Sequence, residues 1–129
     1  MDADALKDVP IFAELSGKAR RLAAEHCDQI EVAAGETLIE QGGLANEFYI
    51  IIDGAVDVLV AGEKTATLGA GDVMGEIGVL DTHKRTATVV TTAPTRLIVM
   101  DGRALRAIAD TEGDVADEIR ALIEARTAD

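Results

Sequence analysis

Apolar and polar positions change their period twice along the chain, dividing it into three zones. Over residues 2–27 the period is helical: Ala19, Leu22, Ala23 and His26 recur at i, i+3, i+4 and i+7, and Ser16 is placed to cap the start. Pro10 separates this helix from a shorter turn at Ala3–Lys7. From 28 to 101 the pattern shortens to strand alternation broken by glycine turns. Ile30 and Val32 alternate with Gln29 and Glu31, and Thr37–Gln41, Phe48–Ile52, Ala55–Val60, Lys64–Leu68, Thr86–Thr92 and Thr95–Met100 follow as further strands. Asp53-Gly54 reads as a tight hairpin, because both residue types accept positive φ. Over 102–127 the helical period returns. Leu105 and Ile108 lie three apart, Thr111 with Asp114 resembles a capping box, and Val115, Ile119, Leu122, Ile123 and Arg126 form one stripe. That stripe serves either the domain's own core or a contact with another chain. Short, evenly spaced strands predict a mainly β fold, an antiparallel β-barrel or jelly roll with an N-terminal helical segment and two C-terminal helices. All 129 residues fit one domain.

Composition narrows the chemistry. A 48% hydrophobic content suffices for a core, but the aromatics are only Phe12, Phe48 and Tyr49, so the core must be aliphatic. Twenty-four acids against twelve bases give a net charge of −12. That balance argues against nucleic acid and against an anionic membrane surface, both of which recruit Lys and Arg. Any anionic ligand needs a local positive site that overcomes the global field. The acidic start lacks a signal peptide's basic and apolar segments, and no apolar run approaches the roughly 18 residues of a membrane span. A single cysteine, Cys27, cannot form an internal disulfide, and it reads as a small hydrophobe near a helix end. A cytoplasmic location is expected.

The segment that carries chemistry runs from Gly71 to Thr88. A brief apolar, helix-compatible turn (Glu76–Leu80) interrupts the strands, followed by a polar loop and then Arg85. Gly75 and Gly78 remove side chains where a backbone could approach a ligand, and exposed N–H groups of a short turn favour an anion. Arg85 offers fixed donors that match phosphate oxygens, and the Glu76 carboxylate can accept from a sugar hydroxyl. One acceptor for a hydroxyl beside one cation for a phosphate describes a nucleotide-type ligand. The competing reading is a barrel turn carrying a surface salt bridge between Glu76 and Arg85.

This stretch resembles the phosphate-binding cassette of the cyclic nucleotide-binding domain family. Gly75-Glu76-Ile77-Gly78-Val79-Leu80 stands where the family has Gly-Glu and a short apolar helix. Arg85-Thr86-Ala87-Thr88 follows nine residues after the Glu, as in common members. Leu6–Leu15, Ala34–Gly42 and Phe48–Val56 resemble the family's helical lead and glycine-punctuated barrel, so the likeness covers roughly residues 6 to 110. It implies that Glu76 binds the ribose 2′-hydroxyl and Arg85 the cyclic phosphate. Gly75, Ile77, Gly78, Thr86 and Ala87 then line the pocket within a cassette spanning 75–88. Thr86 holds a hydroxyl that cGMP-accepting members often have, while family frequency favours cAMP, so the base preference stays open. Met74 replaces an aromatic common before the Gly-Glu pair. With no aromatic after Tyr49, a lid over the base must be aliphatic, such as Leu122 or Ile123, or come from a partner chain.

Other chemistries find little support. His26 and His83 lie far apart with no His-x-His pair, so no metal site is expected. No nucleophile–base pair emerges, and no enzymatic activity or prosthetic group is expected. The Arg20-Arg21 pair reads as an exposed helix face, and His83 and Lys84 as solvated loop residues. The expectation is a stand-alone cyclic nucleotide sensor without its own effector. It would signal through its last helix to an unidentified partner or a second copy; the alternative is a ligand-free interaction module that keeps the barrel.

Overall fold

The computed structural model of the chain describes residues 13, 15–43, 47–74, 85 and 87–101, and beyond them 110, 113, 114, 117 and 121. Helix α1 spans Gly17–Glu25, and the Ser16 hydroxyl accepts the Ala19 N–H at 3.1 Å. Its buried residues are Ala19, Ala23 and Ala24, whereas Leu22 and His26 are half-buried. The buried face is therefore turned slightly from the one the spacing predicts. Arg21 is exposed as expected, but Arg20 folds back to donate to the Leu15 carbonyl at 3.0 Å.

Among the described residues eight strands follow: β1 Cys27–Val32, β2 Thr37–Ile39, β3 Glu47–Asp53, β4 Ala55–Val60, β5 Glu63–Gly69, β6 Val73–Met74, β7 Thr88–Thr91 and β8 Thr95–Asp101. They form two antiparallel sheets ordered β1-β8-β3-β6 and β2-β7-β4-β5. The expected barrel or jelly roll is thus the observed fold. Side chains from both sheets meet between them: Ile39, Tyr49, Ile51, Val56, Leu68, Met74, Val89 and Leu97, one or two from every strand but β1. Strand β1 adds Ile30 and Val32, half-buried against the same cluster. Alternation along β3 sends Phe48 and Ile50 to the opposite face, which is buried as well. Truncating a fully buried aliphatic here, such as Leu97 to Ala, costs about 2–5 kcal/mol.

Two turns depart from the sequence reading. Asp53-Gly54 is not a hairpin: β3 belongs to one sheet and β4 to the other, so the dipeptide is a corner where the chain changes sheets. Gly54 has φ 112°, and a Cβ there would lie 2.7 Å from the Thr95 Cα and 2.8 Å from the Pro94 carbonyl oxygen. The positive φ and the approaching backbone both demand the glycine. The true hairpin joins β4 to β5 through Ala61-Gly62, both at positive φ. The Gln41 side chain accepts the Ala61 N–H at 2.8 Å, which steadies a turn that lacks the usual Asn or Asp. Strand β2 ends at Ile39 rather than Gln41, where a turn closed by Gly43 N–H on the Glu40 carbonyl begins. At the other end of the barrel, Thr91 is buried and ties down the 33–36 turn, donating to the Ala33 carbonyl at 2.7 Å and accepting the Glu36 N–H at 2.9 Å.

Asp110, Gly113, Asp114, Asp117 and Ala121 are helical and exposed, which agrees with helices after the barrel. The apolar stripe of Val115, Ile119, Leu122, Ile123 and Arg126, the Leu105 and Ile108 pair and the Ala3–Lys7 turn lie outside the described residues.

Candidate functional site

The cassette is anchored at both ends. At its entry the Asp72 carboxylate accepts the Gly69 N–H at 2.8 Å, and Gly71 takes φ 89° to close the turn. The Gly71 N–H donates to the Ile51 carbonyl at 2.8 Å, and the Ile51 N–H to the Asp72 carbonyl at 3.0 Å. This bolts the turn to β3 and sets β6 in register, with Met74 beside Tyr49. Met74 is buried in the interior cluster, so it fills the apolar role expected of the residue before the Gly-Glu pair. The chain leaves one sheet at Met74 and enters the other at Thr88.

At the exit stands Arg85. Its N–H donates to the Gly43 carbonyl at 2.8 Å, and its carbonyl accepts the Gly42 N–H at 2.9 Å. This reciprocal pair fixes the backbone, with Gly42 at φ 84° turning the partner segment into position. The expected strand Thr86–Thr92 accordingly begins only at Thr88, since Arg85 is bonded to the 42–43 turn rather than to β2. Arg85 is only 9% exposed, and its guanidinium Nη2 donates a short hydrogen bond to the Glu47 main-chain carbonyl at the start of β3. That contact orients the guanidinium with a neutral main-chain dipole. The Glu47 carboxylate is occupied elsewhere, accepting from the Tyr49 hydroxyl at 2.7 Å. Burial first, and then this hydrogen bond, hold the Tyr49 phenol above its ordinary range, while the nearby Arg85 charge pulls the other way. Tyr49 is therefore a neutral donor at any physiological pH.

Of the seven site residues read from the sequence, Arg85 and Ala87 are described; Ala87 is half-buried at a bend. Gly75, Glu76, Ile77, Gly78 and Thr86 lie outside the described residues, as do His83 and Lys84. The burial of Arg85 removes the word surface from the competing salt-bridge reading. Sequence reasoning missed Gly43, Glu47 and Gln41. Gln41 N–H donates to the Thr88 hydroxyl oxygen at 3.0 Å while its side chain holds the β4–β5 turn. The Gln41-Gly42-Gly43 run was the only available signal for this support.

The remaining candidates are quiet. Cys27 is buried opposite Met100, and burial pushes its thiol up to about 11, which makes it an inert packing group at neutral pH. Among the described residues, no three His, Cys, Asp or Glu side chains gather to hold a metal ion. No helix among them is long and apolar enough to cross a membrane.

Comparison with known proteins decides the family. The sequence model of the cyclic nucleotide-binding domain matches residues 29–112, which takes in most of β1, all of β2 to β8 and the cassette. The chain belongs to the cyclic nucleotide-binding domain family. A protein of Rhodopseudomonas palustris named as a potassium channel protein is 33% identical over 122 residues, covering 92% of this chain and 30% of that one. The cAMP-dependent protein kinase regulatory subunit of Mycosarcoma maydis is 34% identical over 108 residues, 77% of this chain and 21% of the relative. This cyclic nucleotide-binding domain thus spans under a third of the length of either relative. Its fold is shared with a cyclic nucleotide-binding domain from Methylobacillus flagellatus, at a TM-score of 0.82 and 21% identity over 96% of this chain and 79% of that one. It is shared too with a protein from Geobacter metallireducens named as cyclic nucleotide-binding, at a TM-score of 0.86 and 15% identity over 98% and 95%. Domains of this family take cAMP or cGMP as ligands and are typically regulatory rather than catalytic.

Proposed function

We propose that this domain binds cAMP, with cGMP as a weaker competitor, and acts as a non-catalytic sensor. One observation supports the reading: Arg85, at the cassette's exit, is buried, and its guanidinium is oriented by a main-chain carbonyl at the start of β3. In this reading Arg85 meets the cyclic phosphate and Glu76 the ribose 2′-hydroxyl, with Gly75, Ile77, Gly78, Thr86 and Ala87 lining the pocket. The preference for cAMP is supported by relatives named as cAMP-dependent kinase regulatory subunits, against which the Thr86 hydroxyl speaks for cGMP. Ligand binding shifts the population of the C-terminal helix, which passes the signal to a partner or a second copy of the chain. The site is expected to work in the cytoplasm, where such nucleotides are made.

Titration calorimetry with cAMP and cGMP tests the core of this. Saturable binding of cAMP, tighter than cGMP, is the expected result; heat from neither nucleotide would leave a ligand-free interaction module that keeps the barrel. Hydrogen exchange over 105–126 tests the output, and exchange unchanged at saturating cAMP sinks the helix-shift mechanism.

A further inference from the structure

Gln41 joins segments that lie far apart in the chain. Its N–H donates to the Thr88 hydroxyl oxygen at 3.0 Å, and its side-chain oxygen accepts the Ala61 N–H at 2.8 Å. Thr88 opens β7 just after Arg85, and it pairs with Leu59 of β4, just before Ala61. The next two residues, Gly42 and Gly43, are the ones whose backbone grips that of Arg85. A Gly-Gly pair is the least restrained stretch a backbone can have, and ordering it carries a large entropy cost. Gly42 holds φ 84°, and the Gly43 N–H closes the turn on the Glu40 carbonyl. The grip on Arg85 is therefore only as firm as the residue that leads into it. Gln41 is exposed, yet its main chain is tied to β7 and its side chain to the β4–β5 turn. That turn gains from the same contact, because Ala61 stands at φ 52° without being glycine.

We propose that Gln41 is a positioning residue for the anion site, which couples the β4–β5 turn to the Arg85 backbone and so sets where the guanidinium is presented. The inference rests on the reading of Arg85 as the phosphate ligand and adds a specific support to it. A guanidinium stands on a long flexible stem, so its place is set at both ends. The Glu47 carbonyl holds the tip, and the Gly42-Gly43 segment holds the root. Loosening the root adds an ordering cost to binding that a pre-organised site avoids. Coupling of this kind is reciprocal: a ligand that fixes Arg85 also tightens the turn at Ala61.

Two readouts test the role: calorimetry with cAMP, with cGMP in parallel, and Ala61 amide exchange followed by magnetic resonance. Gln41→Met keeps the length of the side chain and removes the acceptor; binding should weaken about threefold to fivefold. Gln41→Glu restores an acceptor. In ~0.5 M salt, where its added charge is screened, affinity should return to within about twofold of wild type. In an Arg85→Ala background, Gln41→Met should change affinity by less than about 1.5-fold, because no guanidinium remains to place. Saturating cAMP should slow Ala61 exchange about threefold or more in wild type and leave it unchanged in Gln41→Met. The wild-type exchange measurement needs no variant, so it holds whatever a substitution does to folding. Wild-type affinity in Gln41→Met, the same loss in both backgrounds, no recovery in Gln41→Glu, or Ala61 exchange indifferent to cAMP overturns the positioning role and leaves the cyclic nucleotide reading intact. A wild-type protein that binds neither nucleotide overturns that reading, and this role with it.

Discussion

Arg85 and Arg96 lie on the same barrel and are handled in opposite ways. Arg96, on β8, is 46% exposed and places Nε and Nη2 on one Asp53 carboxylate oxygen at 2.8 and 2.5 Å. The hydrogen bonds of that pair pull the Asp53 carboxyl below its ordinary range and lift the guanidinium above its own. Arg85 is buried, and its contact with Glu47 is to a carbonyl, with the acid of the same residue engaged by a phenol. A cross-strand pair in water satisfies itself and contributes little. A buried guanidinium steered by a neutral dipole carries a desolvation cost that a bound anion would offset. The two guanidiniums differ in what steers them: a carboxylate at the surface for Arg96, a main-chain carbonyl in the interior for Arg85.

The strongest way to break this contrast is at Arg85. Arg85→Ala should weaken cAMP binding by about 30-fold or more, roughly 2 kcal/mol or more; calorimetry that found wild-type affinity would end the site assignment. The Arg96 side offers a large effect of a different kind. Gly54 sits against the backbone at Pro94 and Thr95, just before Arg96, and Gly54→Ala should destabilise the fold by roughly 2–4 kcal/mol in a denaturant titration. Arg85→Lys keeps a charge but loses the planar fork, and about a tenfold loss of affinity is expected. Arg96→Ala should leave cAMP affinity within about twofold of wild type, since its charge is spent on Asp53. The smallest effect is pH-dependent. Because the folded Asp53 carboxyl is held low, its contribution is complete above the unfolded value near ~3.9 and disappears as pH falls through the folded one. The thermal midpoints of wild type and Asp53→Asn should therefore converge below about pH 4, and a gap that widened in acid would contradict the pair.

Much of the barrel was legible because β-branched alternation is a local property. Ile30 and Val32, Phe48–Ile52, Ala55–Val60 and Thr95–Met100 each announce a strand without reference to any other segment. Strand β6 did not, since two residues are too few to show a period. The Asp53-Gly54 corner was misread for a related cause: a glycine demanded by the approach of Pro94 and Thr95, some 40 residues later, looks the same in sequence as one demanded by a tight turn. Ala61-Gly62 was passed over because Ala is a poor turn residue, and its helper Gln41 is remote in sequence. At the candidate site, Arg85 stands out in the sequence because its stretch resembles the family's cassette. Glu47 was not, because its claim rests on a carbonyl that every residue possesses and on a register 38 positions away.

The central strand β8 has a consequence for how the molecule comes into being. Its partners are β1 and β3, with Cys27 paired to Met100 and Phe48 also paired to Met100. The sheet β2-β7-β4-β5 can be complete once Thr91 has been synthesised, yet in the other sheet only β3 and β6 can then pair. A nascent chain stopped before Thr95 therefore exposes two long unpaired edges and an unfinished core. Contacts of such long sequence separation close late and slowly, so β8 acts as the keystone of folding, arriving last and locking the elements that wait for it.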